Sequence, residues 1–201
     1  VLDGLGIERA ILLGHSFGAG ATVETVMRYP RRVSALVLVA GALGLPDPNQ
    51  GLSDPPAALT GFLSLPVVPG LVVSATATNP LLTQRLLASM VARKEAATPE
   101  LASLLQRPMK RGGTTADFVT WARAFVTPDQ EAASLRPHAY RVIRVPTRLI
   151  WGDLDTITPV AQGERIAGLL ASARLEILPG VGHIPQIEDP PGFRVMLMRL
   201  L

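Results

Sequence analysis

Cysteine is missing from the 201 residues, histidine occurs three times, aromatic residues make up 4% and charged residues 17%. Without Cys the chain has neither a disulfide framework nor a thiolate nucleophile. His15, His138 and His183 show no His-x-x-x-His spacing, so a zinc site would draw most of its ligands from carboxylates, and no metal is expected. Runs of like charge are lacking as well. The net charge is +3 and the arginines are scattered, which argues against a nucleic-acid partner or a charged membrane face. The one long uncharged stretch, Pro55 to Gln84, is interrupted by Pro56, Pro66, Pro69, Gly70 and Pro80. A spanning helix needs about 20 continuous apolar residues, so the stretch is expected to be buried or cleft-lining surface. The opening Val1-Leu2-Asp3-Gly4 has no basic n-region and no small-residue cleavage site, and a cytoplasmic location is the expectation.

What is present is a chain that is 48% hydrophobic with 18 Gly and 18 Pro. At this length a single core buries roughly 70% of the unfolded surface, so no staple is required. Leu2 to Ile7 reads as a helix end closing at Gly6, Ala10 to Leu13 as a buried parallel strand, Ala19 to Arg28 as a helix ended by Tyr29-Pro30, and Val33 to Val39 as a second buried strand. From residue 46 to 144 the pattern is helical and broken by prolines. Its pieces are Pro80 to Lys94, Pro99 to Arg107 and Thr115 to Val126, the last with Phe118, Trp121 and Phe125 on one face behind a Thr115 N-cap. A strand returns at Thr147 to Trp151, then a helix at Pro159 to Leu170, a strand at Leu175 to Leu178 and a closing helix through Phe193 to Leu200. Strands alternating with helices predict an α/β fold with a parallel sheet. The predicted organisation is core 1–45, helical insertion 46–144 and core 145–201.

Gly14-His15-Ser16-Phe17-Gly18 lies between the first strand and the first helix, the context of a nucleophile elbow. Ser16 is expected in a strained conformation that lifts its hydroxyl above the sheet, with Gly14 and Gly18 required because larger side chains would collide with the turn. A serine hydroxyl needs a base and an orienting carboxylate. Asp155 follows the strand ending Ile150-Trp151, and His183 follows the last strand in Pro179-Gly180-Val181-Gly182-His183. All three fall at C-terminal ends of parallel strands, where open α/β sheets place ligands.

With these motifs, and with Pro146 to Asp155 and Gly182-His183-Ile184-Pro185-Gln186-Ile187-Glu188-Asp189-Pro190, the chain resembles the cap-containing branch of the α/β-hydrolase superfamily, which includes esterases, lactonases, cofactor-free haloperoxidases and C-C bond hydrolases. The resemblance implies Ser16 as nucleophile, His183 as general base and acid, Asp155 as the orienting carboxylate and the Phe17 amide as one oxyanion donor. It implies the C-terminal part of that fold, with a helical cap inserted between strands, no cofactor, and a small-molecule substrate. Phe118, Trp121 and Phe125 are candidate substrate contacts. In the family, further strands and the second oxyanion donor precede the elbow, so the chain is expected to be part of a longer protein.

Competing assignments follow from local chemistry. Asp153 is read as a turn-forming side chain and Asp155 as the acid; His15 is read as packing; His138 has no partner in view; Glu188 is read as a helix-start carboxylate favoured by the dipole. The function expected is a serine hydrolase acting through an acyl-enzyme on a small, mainly apolar ester, lactone, thioester or activated carbonyl. The alternatives are an acyltransferase, a small-molecule-binding member of the same fold, and an inactive fragment.

Overall fold

Val33–Val39 (β2) is a nearly unbroken apolar run, Thr147–Gly152 (β3) carries Leu149, Ile150 and Trp151 in succession, and both become interior strands of a parallel sheet in the order β1-β2-β3-β4. The flanking strands are Ala10–His15 (β1) and Ala173–Leu178 (β4). The structure, a computed structural model, describes residues 1–45, 65, 68–126 and 131–199.

Period-two alternation divides the interior strands between two cores. Leu36, Leu38, Leu149 and Trp151 face Val23 and Val26 of α1 (Gly18–Arg28) and Ile166 of α6 (Val160–Leu169). Val37, Val39 and Ile150 face the opposite way, where Phe193, Met196 and Leu197 of α8 (Pro190–Met198) pack. A strand covered on both faces has no polar side to show, which is why Ala35 to Val39 of β2 and Leu149 to Trp151 of β3 read as continuous hydrophobic sequence. Each fully buried Leu or Val contributes about 1.5–3 kcal/mol relative to exposure.

β1 departs from the expectation of burial. Among the described residues it pairs only with β2, and Ile11 and Leu13 remain 41% and 45% exposed.

Contacts divide the chain into one unit of residues 1–45, 90–93 and 132–201 and another of 46–89 and 94–131. Residues 132–144 therefore pack with the strands rather than with the helical insertion, because Leu135, Tyr140 and Ile143 are buried and Tyr140 and Ile143 join the core around Trp151. The second unit contains α2 (Val68–Ala75), α3 (Pro80–Met90, whose last residue belongs to the first unit), α4 (Pro99–Met109) and α5 (Thr114–Val126). Within it, α5 packs against α2 and α4. Thr98 caps α4 by accepting from the Leu101 amide at 3.2 Å. Gln84 and Gln106 tie loops down by donating to the carbonyls of Ala97 and Pro80.

Two local expectations shift. α5 starts at Thr114, so Thr115 lies inside the helix rather than at its cap. Of the uncharged stretch from Pro55 to Gln84, expected as buried or cleft-lining surface, residues 55–64, 66 and 67 lie outside the described residues, and Leu71, Val72 and Leu81 are exposed rather than buried.

Candidate active site

Gly14, at the end of β1, has no room for a side chain. A Cβ there would stand 2.6 Å from the Gly18 carbonyl oxygen and 2.7 Å from the Ala19 Cα. The backbone then turns through Ser16 at φ 51°, one of two described non-glycine residues with positive φ, a strained conformation for a side chain with a Cβ. It is held by bonds on both sides: the Ser16 amide donates to the Val39 carbonyl at 2.9 Å, and the Ser16 carbonyl accepts from the Ala42 amide at 3.0 Å. Gly18 behaves differently from the expectation. A Cβ at that position would meet nothing within 4 Å, because it already lies in the first turn of α1 and faces away from the strand.

The turn after β3 supplies the carboxylates. A Cβ at Gly152 would overlap the carbonyls of Val181 and Gly182, so this glycine allows the β3 turn and the β4 loop to touch. Asp153 Oδ1 accepts from the Gly180 and Val181 amides at 2.7 and 3.3 Å and ties the two loops together. Asp155 is only 5% exposed. Its Oδ1 accepts from the amides of Ile157 and Thr158, both at 2.9 Å, and its Oδ2 lies 2.9 Å from His183 Nδ1.

His183 is 1% exposed, and its Nε2 is 2.9 Å from Ser16 Oγ. The structure thus brings Ser16, His183 and Asp155, drawn from three strand ends, into one line of hydrogen bonds. Burial opposes the charge on Asp155 more than any other single effect, but the bonds from His183 and Thr158 together outweigh it and hold the carboxyl below its ordinary value. A carboxylate that stays ionised fixes the Nδ1–H tautomer and leaves Nε2 free to accept the serine proton.

The loop around His183 is fixed at every side. Its amide donates to the Met90 carbonyl at 3.1 Å. Its carbonyl accepts from His15 at 2.8 Å, and since a carbonyl can only accept, the His15 proton sits on Nε2. Burial lowers the His15 pKa, partly opposed by that bond.

Glu188, 6% exposed, is not the dipole-satisfying residue the sequence suggests. It ends the single turn α7 (Pro185–Glu188), and its carboxylate accepts from four backbone amides: Ala92 at 2.7 Å, Gly182 at 2.9 Å, Arg93 at 3.0 Å and Ile184 at 3.1 Å. Two of these flank His183. The other two leave the helical pattern at the end of α3, which explains why that helix stops at Met90 and not at Lys94.

Thr158 is the other residue that sequence reasoning passed over. Its buried hydroxyl lies 2.8 Å from Asp155 Oδ2, 3.2 Å from His183 Nδ1 and 3.1 Å from the Ala40 carbonyl. A Thr three positions after the acid was available as a signal, since that spacing lets a side chain fold back onto the carboxylate.

Phe17 follows Ser16 directly and precedes α1, so its amide lies at the positive end of that helix. Phe118 and Trp121 lie in the second unit, on α5, with ring centroids 5.0 Å apart. Phe125 shares the helix, and its side chain falls outside the described residues. His138 is exposed in the 3-10 segment Pro137–Val142, away from this chain of contacts. Among the described residues no three His, Asp or Glu side chains gather as metal ligands, and no helix is long and apolar enough to cross a membrane.

Comparison with known proteins shows the family and the fold. The family described as the alpha/beta hydrolase fold matches residues 1–190. A 2-hydroxy-6-oxononadienedioate/2-hydroxy-6-oxononatrienedioate hydrolase of Paraburkholderia phymatum is 30% identical over 213 aligned positions, covering 100% of this chain and 65% of the relative. Among solved structures, a meta-cleavage product hydrolase from Pseudomonas fluorescens superposes with a TM-score of 0.73 at 22% identity, over 99% of this chain and 66% of the other. That identity speaks to fold alone. The chain spans 58% to 65% of the length of the first curated relatives it matches. Continuous from Val1 to Pro190, the family match takes in the Ser16 turn, the Asp155 turn and the His183 loop alike, and the chain belongs to the alpha/beta hydrolase fold family.

Proposed function

We propose that the chain carries the reacting groups of a serine hydrolase that works through an acyl-enzyme. The observation that supports this most directly is the line of 2.9 Å contacts from Ser16 Oγ through His183 to Asp155, with the serine held at positive φ on a strand-to-helix turn. In this reading Ser16 Oγ attacks a carbonyl carbon while His183 Nε2 takes its proton. The Phe17 amide is one donor to the resulting oxyanion. Collapse of the tetrahedral species expels the leaving group, which receives the proton from His183, and water then enters by the reverse sequence to release the acid. Asp155 stays ionised throughout and supports the imidazolium.

The substrate class is a small, mainly apolar ester, lactone, thioester or activated carbonyl compound, with residues 46–89 and 94–131 acting as a cap and Phe118, Trp121 and Phe125 as apolar contacts. A second reading, hydrolysis in which the departing group is carbon, is favoured by the 30% identity to a relative named for 2-hydroxy-6-oxo dienedioates, which present a ketone as the activated carbonyl. Acyl transfer would use the same acyl-enzyme with another acceptor. The test is burst release of p-nitrophenol from p-nitrophenyl butyrate by the chain and its Ser16→Ala variant, run beside loss of the dienoate chromophore of a 2-hydroxy-6-oxo dienoate. A burst that Ser16→Ala abolishes supports the acyl-enzyme. Equal release by both proteins overturns it, and turnover of the dienoate alone selects the carbon-leaving reading.

A further inference from the structure

The carboxylate of Asp155 is surrounded by donors. Oδ1 takes two amides, Ile157 and Thr158, and Oδ2 takes His183 Nδ1. The hydroxyl of Thr158 is a further donor beside it. Three atoms lie within its reach: Asp155 Oδ2 at 2.8 Å, the Ala40 carbonyl at 3.1 Å and His183 Nδ1 at 3.2 Å. Nδ1 cannot accept, because a neutral imidazole whose Nε2 receives the Ser16 proton carries its own hydrogen on Nδ1. Between the remaining two, the carboxylate is both closer and charged, and charge-assisted hydrogen bonds are shorter and stronger than neutral ones. The Thr158 hydroxyl is also immobilised by its own backbone: its amide donates to Asp155 Oδ1 and its carbonyl accepts from Trp151 Nε1 at 2.7 Å.

Resting on the reading of Ser16, His183 and Asp155 as a triad, we propose that Thr158 is a positioning residue. Its hydroxyl donates to Asp155 Oδ2, supplies the fourth donor to that carboxylate, and so sets the plane of the carboxylate and the strength with which it holds the proton shared with His183. Without the hydroxyl, His183 is the one described donor left to Oδ2, which then attracts that proton more strongly. Protonation of the Asp155–His183 pair then extends to higher pH, and the acid limb of a Ser16-dependent rate moves up. The other ionisable groups around His183 are His15 from β1, with ring centroids 5.1 Å apart, Glu188 from α7, Asp153 on the loop amides, and Arg93, which donates to the carbonyls of Pro179, Gly180 and Glu188. None of them contacts the Thr158 hydroxyl through a described bond, so substitutions at Thr158 leave their arrangement in place.

The experiment compares Thr158→Val, which keeps the shape and removes the hydroxyl, with Thr158→Ser, which keeps the hydroxyl and removes a methyl. Thr158→Ala against Thr158→Ser repeats the comparison where the valine variant does not fold. Two readouts are used: the pH profile of labelling by a fluorophosphonate, and the downfield NMR resonance of the His183 Nδ1 proton. The valine or alanine variant is expected to raise the midpoint of the acid limb by about one pH unit and to shift the resonance, with Thr158→Ser close to the parent protein on both. If valine matches the parent and serine departs from it, the side chain acts by packing and the proposal is overturned. If labelling is no faster in the parent than in Ser16→Ala, the triad reading itself has failed. The resonance then decides alone: a shift in the valine or alanine variant but not in Thr158→Ser upholds the hydrogen bond, and no shift refutes it.

Discussion

Asp153 and Asp155 stand two positions apart on one turn, and their carboxylates serve different partners: Asp153 Oδ1 binds the backbone of Gly180 and Val181, whereas Asp155 Oδ2 meets the imidazole of His183. Replacing each by Asn separates the roles. Asp155→Asn is expected to lower kcat for a chromogenic ester by about 10⁴-fold, because the amide favours the wrong tautomer of His183. Asp153→Asn retains an acceptor oxygen for the same two amides and is expected to lower kcat by less than about tenfold, with its main effect in a small drop in Tm. Reversal of that order would move the acid to Asp153.

Acidification has a defined sign at this site. The Asp155 carboxyl is held below its ordinary value in the folded chain, its burial being outweighed by the bonds from His183 and Thr158. A group lowered on folding contributes stability that is present above its unfolded value, about 3.9, and lost as pH falls through the folded value. Urea melts at pH 6 and pH 3 are therefore expected to show a smaller loss on acidification in Asp155→Asn than in the parent. Parallel losses in the two proteins would remove this carboxyl as a contributor.

Steric room at the Ser16 turn predicts an asymmetry between the two glycines of the motif. Gly14→Ala places a Cβ against the backbone of Gly18 and Ala19, and is expected to destabilise by about 2 kcal/mol or more. Gly18→Ala enters open space inside a helix and is expected to be neutral or stabilising by up to about 1 kcal/mol. Thermal or chemical denaturation of the two variants reads the difference, and equal destabilisation would contradict it.

The free edge of β1 bears on behaviour in solution. Ile11 and Leu13 are exposed on a strand that pairs on one side among the described residues, and such an edge is a template for association. The 201-residue chain is expected to self-associate in a concentration-dependent way, and Ile11→Lys with Leu13→Lys to reduce it. Light scattering that reports a monodisperse monomer at high concentration would contradict this.

The apolar contacts proposed for the substrate carry their own test. Esters with apolar acyl groups are expected to have higher kcat/KM than small charged esters of equal chemical reactivity, and Trp121→Ala to narrow the gap by raising KM for the apolar ones. A preference for the charged series would remove that assignment.

Much of the sheet was legible because β2 and β3 are buried on both faces and carry the apolar runs Ala35 to Val39 and Leu149 to Trp151. The Ser16 turn was legible because a tight turn must be written locally, in glycine, although only Gly14 is confined by its neighbours. Thr158 and Glu188 were not. The meaning of each lies in partners remote in sequence, Ala40 for one and Ala92 for the other, and a carboxylate that gathers four amides looks, in one dimension, like any acidic residue near a helix start. Residues 132–144 escaped for a similar reason: Tyr140 and Ile143 join the core through 3-10 turns, which have no periodic signature.

Met90–Arg93 belongs to the unit built on the sheet although the chain on either side of it belongs to the other unit. The polypeptide is thus stitched through the first unit midway along the helical region. Excising 46–131 as a single block would strip Glu188 of two of its four amide donors and His183 of the carbonyl that anchors its amide. Grafts that respect the wiring have to be made as two inserts, 46–89 and 94–131, with the four-residue stitch left in place.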